Sequence, residues 1–505
     1  MKRCVAFLAF AALFGASYAA YCHGSPSPDA KPNTLPIFSG KPQLARVSSH
    51  GKAYIAGNGE YQFWLLHLWG TPYEMGRAHG EMMKPELEQF FKDVEAYMKE
   101  QVEPTVQKFL PKWAAEAVAE AGLDMALDLT ADATRPYTGT YFFDEAQGLA
   151  DAVGIDVKRV WRVHMIGELT KGSCSMFGAW GEATKSANGD VLQLRALDWD
   201  VEGPYRNYPA VIVYHPAQPG YGNQFANVGF LGWFGSITGM SERGMAISEI
   251  GVSFPDPTFG EESRYGVPFT FILRDILQFD NDLDQGLSRL ITARRTCDLI
   301  LGVGDGKTKK TFRAIQYSHS VANVQNDTHM MPHNDTWHPR IKNIVYYGMD
   351  WLCPAYNQVM AQQLQKHYGN ITPQVAVHDI VSIVQTGNLH IAIYDLANDV
   401  MYVSFAAKDG DLLGAPFAEP DPDFYEGAPN GKMAYDRQFT QLDMGALWDE
   451  APPTEELLRS FADGADAGEA AALPVAAKDA AAVQPVLEGA EERVDMLLGE
   501  EVASQ

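Results

Sequence analysis

Gly172-Ser173-Cys174-Ser175-Met176-Phe177-Gly178-Ala179-Trp180, followed after Asn188-Gly189 by Val191-Leu192-Gln193-Leu194-Arg195-Ala196-Leu197-Asp198-Trp199-Asp200, is the stretch on which the fold turns. Two short apolar runs around an Asn-Gly pair carry the signal of a β-hairpin, because Asn and Gly tolerate the positive φ that a tight antiparallel turn requires. Cys174 opens the first run. By default a lone cysteine there is a small buried core residue. A cysteine released at its own amino terminus has different chemistry: thiol and α-amine sit on one residue. Their ordinary pKa values, roughly 8.5 and 8, allow proton exchange at neutral pH.

Working outward, short apolar stretches at 209–214, 235–240 and 244–250 continue the strand pattern, and 268–277 and 283–293 then read as helices. Strand character returns at 298–303 and 311–317, and a second hairpin spans 390–395 and 400–405 around Asn398-Asp399. Upstream, Leu87, Phe90, Phe91, Val94, Tyr97 and Met98 fall at helical spacing behind Pro85 in a first turn, and 144–163 reads as a second helical region. Strands, helices and strands in that order predict a layered α+β architecture. Residues 20–45, rich in Pro, Ser and Lys, read as an extended leader, with order beginning near Tyr54. From about Ala451 the chain turns Ala- and acid-rich, the composition of a partly disordered tail.

The 505 residues carry a net charge of −25 with no cationic cluster, which excludes a nucleic-acid partner because phosphate binding needs a concentrated basic face. Lys2-Arg3, the apolar run from Cys4 to Phe14 and Ser17-Tyr18-Ala19 form a signal peptide, 1–19, cut after Ala19. Its apolar run is shorter than the ~20 residues a membrane span needs, and no other span is predicted. The chain is therefore expected in the secretory pathway, secreted or in the endolysosomal lumen, with glycosylation sequons at Asn326, Asn334 and Asn370. Cys22, Cys174, Cys297 and Cys353 are too few for a disulfide framework. If Cys174 stays a thiol, Cys297 with Cys353 is one pairing; the matter stays open.

Four segments carry a resemblance: Gly70-Thr71-Pro72-Tyr73-Glu74-Met75-Gly76-Arg77-Ala78-His79-Gly80, Gly172 to Ser175, Arg195 to Asp198, and Gly239-Met240-Ser241-Glu242-Arg243-Gly244-Met245-Ala246. Weaker echoes are Thr386-Gly387-Asn388-Leu389-His390 and Gly302-Val303-Gly304-Asp305-Gly306. In this order the chain resembles the isopenicillin-N acyltransferase-like family of N-terminal nucleophile cysteine hydrolases, and more distantly acid ceramidases, bile-salt hydrolases and phospholipase B-like proteins. The resemblance implies an αββα sandwich with a helical amino-terminal segment, self-cleaved between Ser173 and Cys174. It implies a leader and helical chain over 20–173, a catalytic core over 174–450 and the tail over 451–505, the two cleaved chains staying associated. The activity implied is hydrolysis or transfer of the acyl group of a linear amide, through a Cys174 thioester and without metal or cofactor. Arg195 would favour thiolate over thiol, and Asp198 would orient the ammonium form of the α-amine.

Two features depart from that pattern. With a two-residue Asn188-Gly189 loop, register puts Trp199 rather than Asp198 on the side-chain face of Cys174, so a bulge or a longer loop is expected. Family members often place an oxyanion-hole Asn after the Gly-Leu turn, where this chain reads Ser248-Glu249-Ile250-Gly251. Backbone amides there, or Asn326 ahead of His329, are the substitutes. Trp233 and Phe234, in Phe230-Leu231-Gly232-Trp233-Phe234, pack a core or line an acyl pocket for a small acyl-amide or lipid-like substrate. His329, His333 and His338 match no zinc spacing and read as a solvated loop, Gly302 to Lys307 lacks the P-loop pattern, and Phe234 breaks a Gly-x-Ser-x-Gly elbow. The alternatives are a phospholipase B-like acyl-ester hydrolase and a catalytically silent scaffold or binding protein.

Overall fold

The computed structural model describes residues 24–99, 122–170, 172–252, 255–348, 354–408 and 432–465. The signal peptide, Cys22, Cys353 and most of the tail lie outside the described residues. Three strands, β1 (Gln43–Ser48), β2 (Gly51–Ala56) and β3 (Phe63–Gly70), precede the helices. Strand β3 is buried on both faces from Phe63 to Leu68, so it lacks the alternation that marks a half-exposed strand. The leader is extended but anchored: the Asn33 amide donates to the carbonyls of Tyr435 and Arg437, at 3.2 and 2.8 Å.

Helix α1 (Pro72–Met82) begins at a capping box, in which the Thr71 amide donates to the Glu74 carboxylate (2.8 Å) and the Glu74 amide to the Thr71 hydroxyl (3.4 Å). Helix α2 (Lys84–Tyr97) buries Leu87, Phe90, Phe91 and Val94, the expected stripe, and α3 (Leu123–Thr134) follows. The single helical region expected at 144–163 is two helices, α4 (Thr140–Val153) and α5 (Val157–Leu169). Gly154, at φ 86°, ends the first, and the Asp156 side chain caps the second. Helices α1 and α4 cross in near-backbone contact. A Cβ on Gly76 would lie 2.0 Å from the Glu145 carbonyl oxygen, and one on Gly148 2.2 Å from that of Tyr73.

Strands β4 (Ser173–Ala179), β5 (Leu192–Asp198), β6 (Pro209–Pro216), β7 (Phe225–Phe230), β8 (Gly239–Ser241) and β9 (Met245–Gly251) follow. After α6 (Phe269–Phe279) and α7 (Leu283–Thr292) come β10 (Leu299–Asp305), β11 (Thr311–Tyr317), β12 (Ala322–Gln325) and β13 (Ile344–Gly348). Helix α8 (Pro354–Lys366) and a helical run over 373–384 precede β14 (His390–Asp395), β15 (Val400–Phe405) and β16 (Thr440–Asp443).

Among the described residues the strands form a ten-stranded sheet, β1-β2-β3-β6-β7-β8-β9-β10-β11-β12, and a six-stranded sheet, β13-β4-β5-β14-β15-β16. Every pairing is antiparallel except β3 with β6. The sheets face each other through β4 and β5 over β9 and β10. Helices α1, α6 and α7 cover the outer face of the larger sheet, and α8 with the run 373–384 covers the smaller, giving an αββα sandwich. The approach between sheets is close at Gly302, where a Cβ would lie 2.6 Å from the Phe312 ring and 2.7 Å from the Met176 sulfur. The large sheet thus takes its first three strands from the part of the chain before Cys174.

Candidate active site

Cys174 pairs with Leu197, Ser173 with Asp198 and Met176 with Arg195 across β4 and β5. Side chains alternate along each strand, so Cys174 shares its face with Leu197 and Arg195, whereas Asp198 shares the opposite face with Ser175. The connection is longer than two residues: Ala179 pairs with Leu192, and a 3-10 turn over Gly181–Ala187 intervenes. Asn188 and Gly189 adopt the expected positive φ, 59° and 77°, inside that loop. The longer loop moves the register without changing which face Asp198 takes.

Arg195 is fully buried between the sheets. Its Nε donates to the Ile237 carbonyl (3.1 Å), Nη1 to that of Ala196 (2.7 Å) and Nη2 to the Glu249 carboxylate (3.0 Å) on β9. The guanidinium charge also acts on the Cys174 thiol, which lies on the same face of the hairpin. Burial pushes the Cys174 thiol up to about 12, with the Arg195 charge opposing the rise and Glu249 and Asp198 adding to it. As an internal residue, Cys174 therefore holds its proton at neutral pH.

Burial likewise raises the Asp198 carboxyl to about 6, against hydrogen bonds that favour its charge. Its Oδ1 accepts from the amides of Gly387 (2.8 Å) and Asn388 (2.9 Å), and Oδ2 from the Thr386 hydroxyl (2.9 Å), whose oxygen lies 2.6 Å from the Ser175 hydroxyl and can accept its proton. The Asn388 side chain in turn accepts the Trp199 amide at 2.8 Å. The weak echo at Thr386 to His390 is thus the backbone cradle of Asp198.

A pocket of about 80 Å³ opens at Cys174. Trp199, Tyr205, Phe230, Trp233, Ile237, Phe269, Leu299 and Leu389 make most of its wall apolar, while Ile166, Gly167, Thr170 and Gly172 bring in the segment ahead of Ser173. Glu249 supplies a carboxylate to the wall. Nothing in the sequence marked it, because one acidic residue in a strand ordinarily faces water. Strand β8 pairs with β9 only as far as Ile247, so over 248–251 β9 is laddered to β10 alone.

The structure does not gather every expected residue here. Trp233 lines the pocket, but Phe234 is a core residue whose ring packs against His164, Phe142, Trp161 and Phe271. Asn326 lies in a turn after edge strand β12, its Oδ1 accepting from the amides of Thr328 and His329, each at 2.9 Å. Neighbouring Asp327 binds the amide of Asn343, beside the Ile344 that pairs with Ala179. Ala179 lies five steps along the strand from Cys174, roughly 16 Å away, and Asn326 sits beyond that far end. Asn334 is half-buried with its Oδ1 in a local turn, and Asn370 is exposed. His338 departs from the solvated-loop expectation: it is fully buried, bonded to the carbonyls of Pro332 and Tyr346. Among the described residues no helix is long and apolar enough to cross a membrane, and no group of three His, Cys, Asp or Glu is placed to hold a metal.

No protein-family profile matches the chain. Solved structures similar to it include a Caenorhabditis elegans ortholog of N-acylethanolamine-hydrolyzing acid amidase, at 16% identity and TM-score 0.34, covering 44% of this chain and 93% of that one. Penicillin V acylase from Agrobacterium tumefaciens is similar at 13% identity and TM-score 0.32, covering 46% and 83%. Two Dictyostelium discoideum proteins are much nearer in sequence. Protein dcd1B is 36% identical over 425 residues, 83% of this chain and 81% of the relative. Protein dcd1A is 36% identical over 430 residues, 83% of this chain and 93% of the relative, and the chain belongs to the family of these dcd1 proteins.

Proposed function

We propose that this chain is the precursor of a cysteine amidohydrolase or acyltransferase, cut between Ser173 and Cys174 so that Cys174 becomes the amino terminus of a catalytic piece. The observation that carries the reading is the Cys174 thiol set in the wall of an apolar pocket, on the same strand face as the buried Arg195 whose charge favours the thiolate. The cut would supply what the internal thiol lacks, an α-amine beside the sulfur, on the residue that follows Ser173, the cross-strand partner of Asp198.

In turnover the amine takes the thiol proton, and the sulfur forms a bond to the acyl carbon of a linear amide. The carbon–nitrogen bond breaks as the proton passes to the leaving nitrogen, leaving a thioester. Water or a second amine then attacks, releasing acid or a new amide and restoring the thiol. Arg195 favours the thiolate, and Asp198 holds the ammonium form of the amine. The β9 backbone over 248–251, unladdered on its β8 side, is the source of donors for the carbonyl oxygen. The scheme needs no metal or cofactor. An apolar wall suits an apolar acyl group, the setting is a secretory or endolysosomal lumen, and the two pieces stay together.

Denaturing electrophoresis with amino-terminal sequencing tests the reading. The expected result is a fragment starting at Cys174, and a single uncut, inactive chain in Cys174→Ala. A full-length wild-type chain that turns over substrate would sink it. Assay of N-acyl amides beside lysophospholipids separates the amidase from an acyl-ester hydrolase.

A further inference from the structure

We infer that His79 and His164, both ahead of the proposed cut, are positioning residues that clamp the Trp233 wall of the pocket from the other side of that cut. The inference rests on the reading that this pocket receives the acyl part of the substrate. Trp233 sits on a turn between β7 and β8, in which its own amide donates to the Phe230 carbonyl at 3.2 Å. The amides on either side of it point at histidines. Gly232 donates to His79 Nε2 on α1 at 3.2 Å, and Phe234 donates to His164 Nε2 on α5 at 2.9 Å.

The His164 ring also stacks on the Trp233 indole, with centroids 4.8 Å apart and planes 27° from parallel. Its Nδ1 lies 2.9 Å from the Val160 carbonyl, which fixes the proton on Nδ1 and leaves Nε2 as an acceptor. Both rings are essentially fully buried, and burial lowers each to about 3, so they stay neutral acceptors.

The glycines around His79 now have a physical reason. Gly76 and Gly80 let α1 approach α4: a Cβ on Gly80 would lie 2.6 Å from the Ala152 Cβ and 2.9 Å from the Leu149 carbonyl oxygen. Gly232 takes φ +78° against Leu87 and Phe90 of α2. The Gly76-Arg77-Ala78-His79-Gly80 segment thus delivers an imidazole acceptor to the backbone of a pocket wall on the other proposed chain. Two residues beyond Gly235, the Ile237 carbonyl takes Arg195 Nε, which ties the clamped turn to the residue beside the sulfur.

The test uses the full chain. His79→Phe and His164→Phe keep a ring and lose the acceptor, whereas His79→Gln and His164→Gln place an oxygen near the Nε2 position. In the Phe variants, hydrogen exchange across residues 231–235 should speed up about tenfold or more. KM for amides with bulky apolar acyl groups should rise about tenfold, more than kcat falls. The Gln variants should recover both. Unchanged exchange at 231–235 in both Phe variants overturns the inference. If those variants do not fold, the ring nitrogens of the wild-type protein decide by proton–nitrogen correlation NMR. A bare Nε2 on both histidines at neutral pH supports the clamp, and a protonated Nε2 on either overturns it. A wild-type protein that cleaves no amide sinks the reading of function, while exchange and ring protonation still decide the clamp.

Discussion

Arg195 brings a full charge into the space between two sheets, where it is tolerable only because two carbonyls, a thiol and the Glu249 carboxylate surround it. Removing one partner of a buried ion pair leaves the other uncompensated. Arg195→Ala should therefore cost about 3–5 kcal/mol in denaturant unfolding, far beyond a surface pair. Glu249 pushes the Cys174 thiol upward, so Glu249→Gln should move thiol ionisation to lower pH. A pH profile of alkylation read at Cys174 alone by peptide mass spectrometry, with and without the substitution, checks this; an unmoved or higher midpoint would remove Glu249 from the electrostatics of the site. Cys174 and Arg195 were legible because a hairpin signal set them at fixed spacing, whereas the longer loop expected to turn Asp198 onto the sulfur's face leaves it on the opposite one. Glu249 was not legible, since its role exists only where a second sheet carries it to Arg195. Asn326 was read from its neighbours in sequence, yet it follows a strand at the sheet edge, in a turn away from Cys174.

Among the elements, the α1–α4 crossing depends on two glycines that leave no room for a methyl group. Gly76→Ala should destabilise the protein by about 2–3 kcal/mol, because backbone of α4 lies where the new Cβ would go. Chemical denaturation checks it, and a change under about 0.5 kcal/mol would show that the crossing relaxes freely. The short apolar runs bounded by turn signals found β4, β5, β6, β8, β9, β10, β11, β14 and β15, and the apolar spacing found α2, α6 and α7. They missed β1, β2, β3, β7, β12, β13 and β16. The apolar run of β3 lies between the extended leader and the first helix with no hairpin partner signalled in sequence, and β1 with β2 looks like leader until β3 pairs beside them. The break between α4 and α5 was visible in Gly154 and Asp156, but the apolar pattern runs across it.

Across the whole molecule, buried histidines and aspartates pull stability in opposite directions as pH falls. His79 and His164, lowered to about 3, and His215, lowered to about 4, refuse protons that the unfolded chain takes up near ~6.5; burial is the main cause for each. Their contribution is full above that pH and is lost on acidification, by about 2–3 kcal/mol per fully buried ring at pH ~4.5. His67 and His390, lowered further by burial, add to the loss. Asp198 and Asp275, raised to about 6 mainly by burial, do the reverse: their contribution is full below the unfolded value and is lost as pH rises through about 6. The histidines outweigh them. Melting temperature should fall from pH 7 to 4.5, less steeply in His164→Gln and more steeply in Asp198→Asn, and scanning calorimetry at several pH values reads all three slopes. One consequence follows from β3 lying parallel to β6 inside the large sheet. A chain severed at Ser173 would have knitted that ladder while still continuous, and two severed pieces lose the short tether that brought those strands into register. The processed form would then be a one-way product, unable to regain its shape after unfolding, whereas uncut Cys174→Ala could renature.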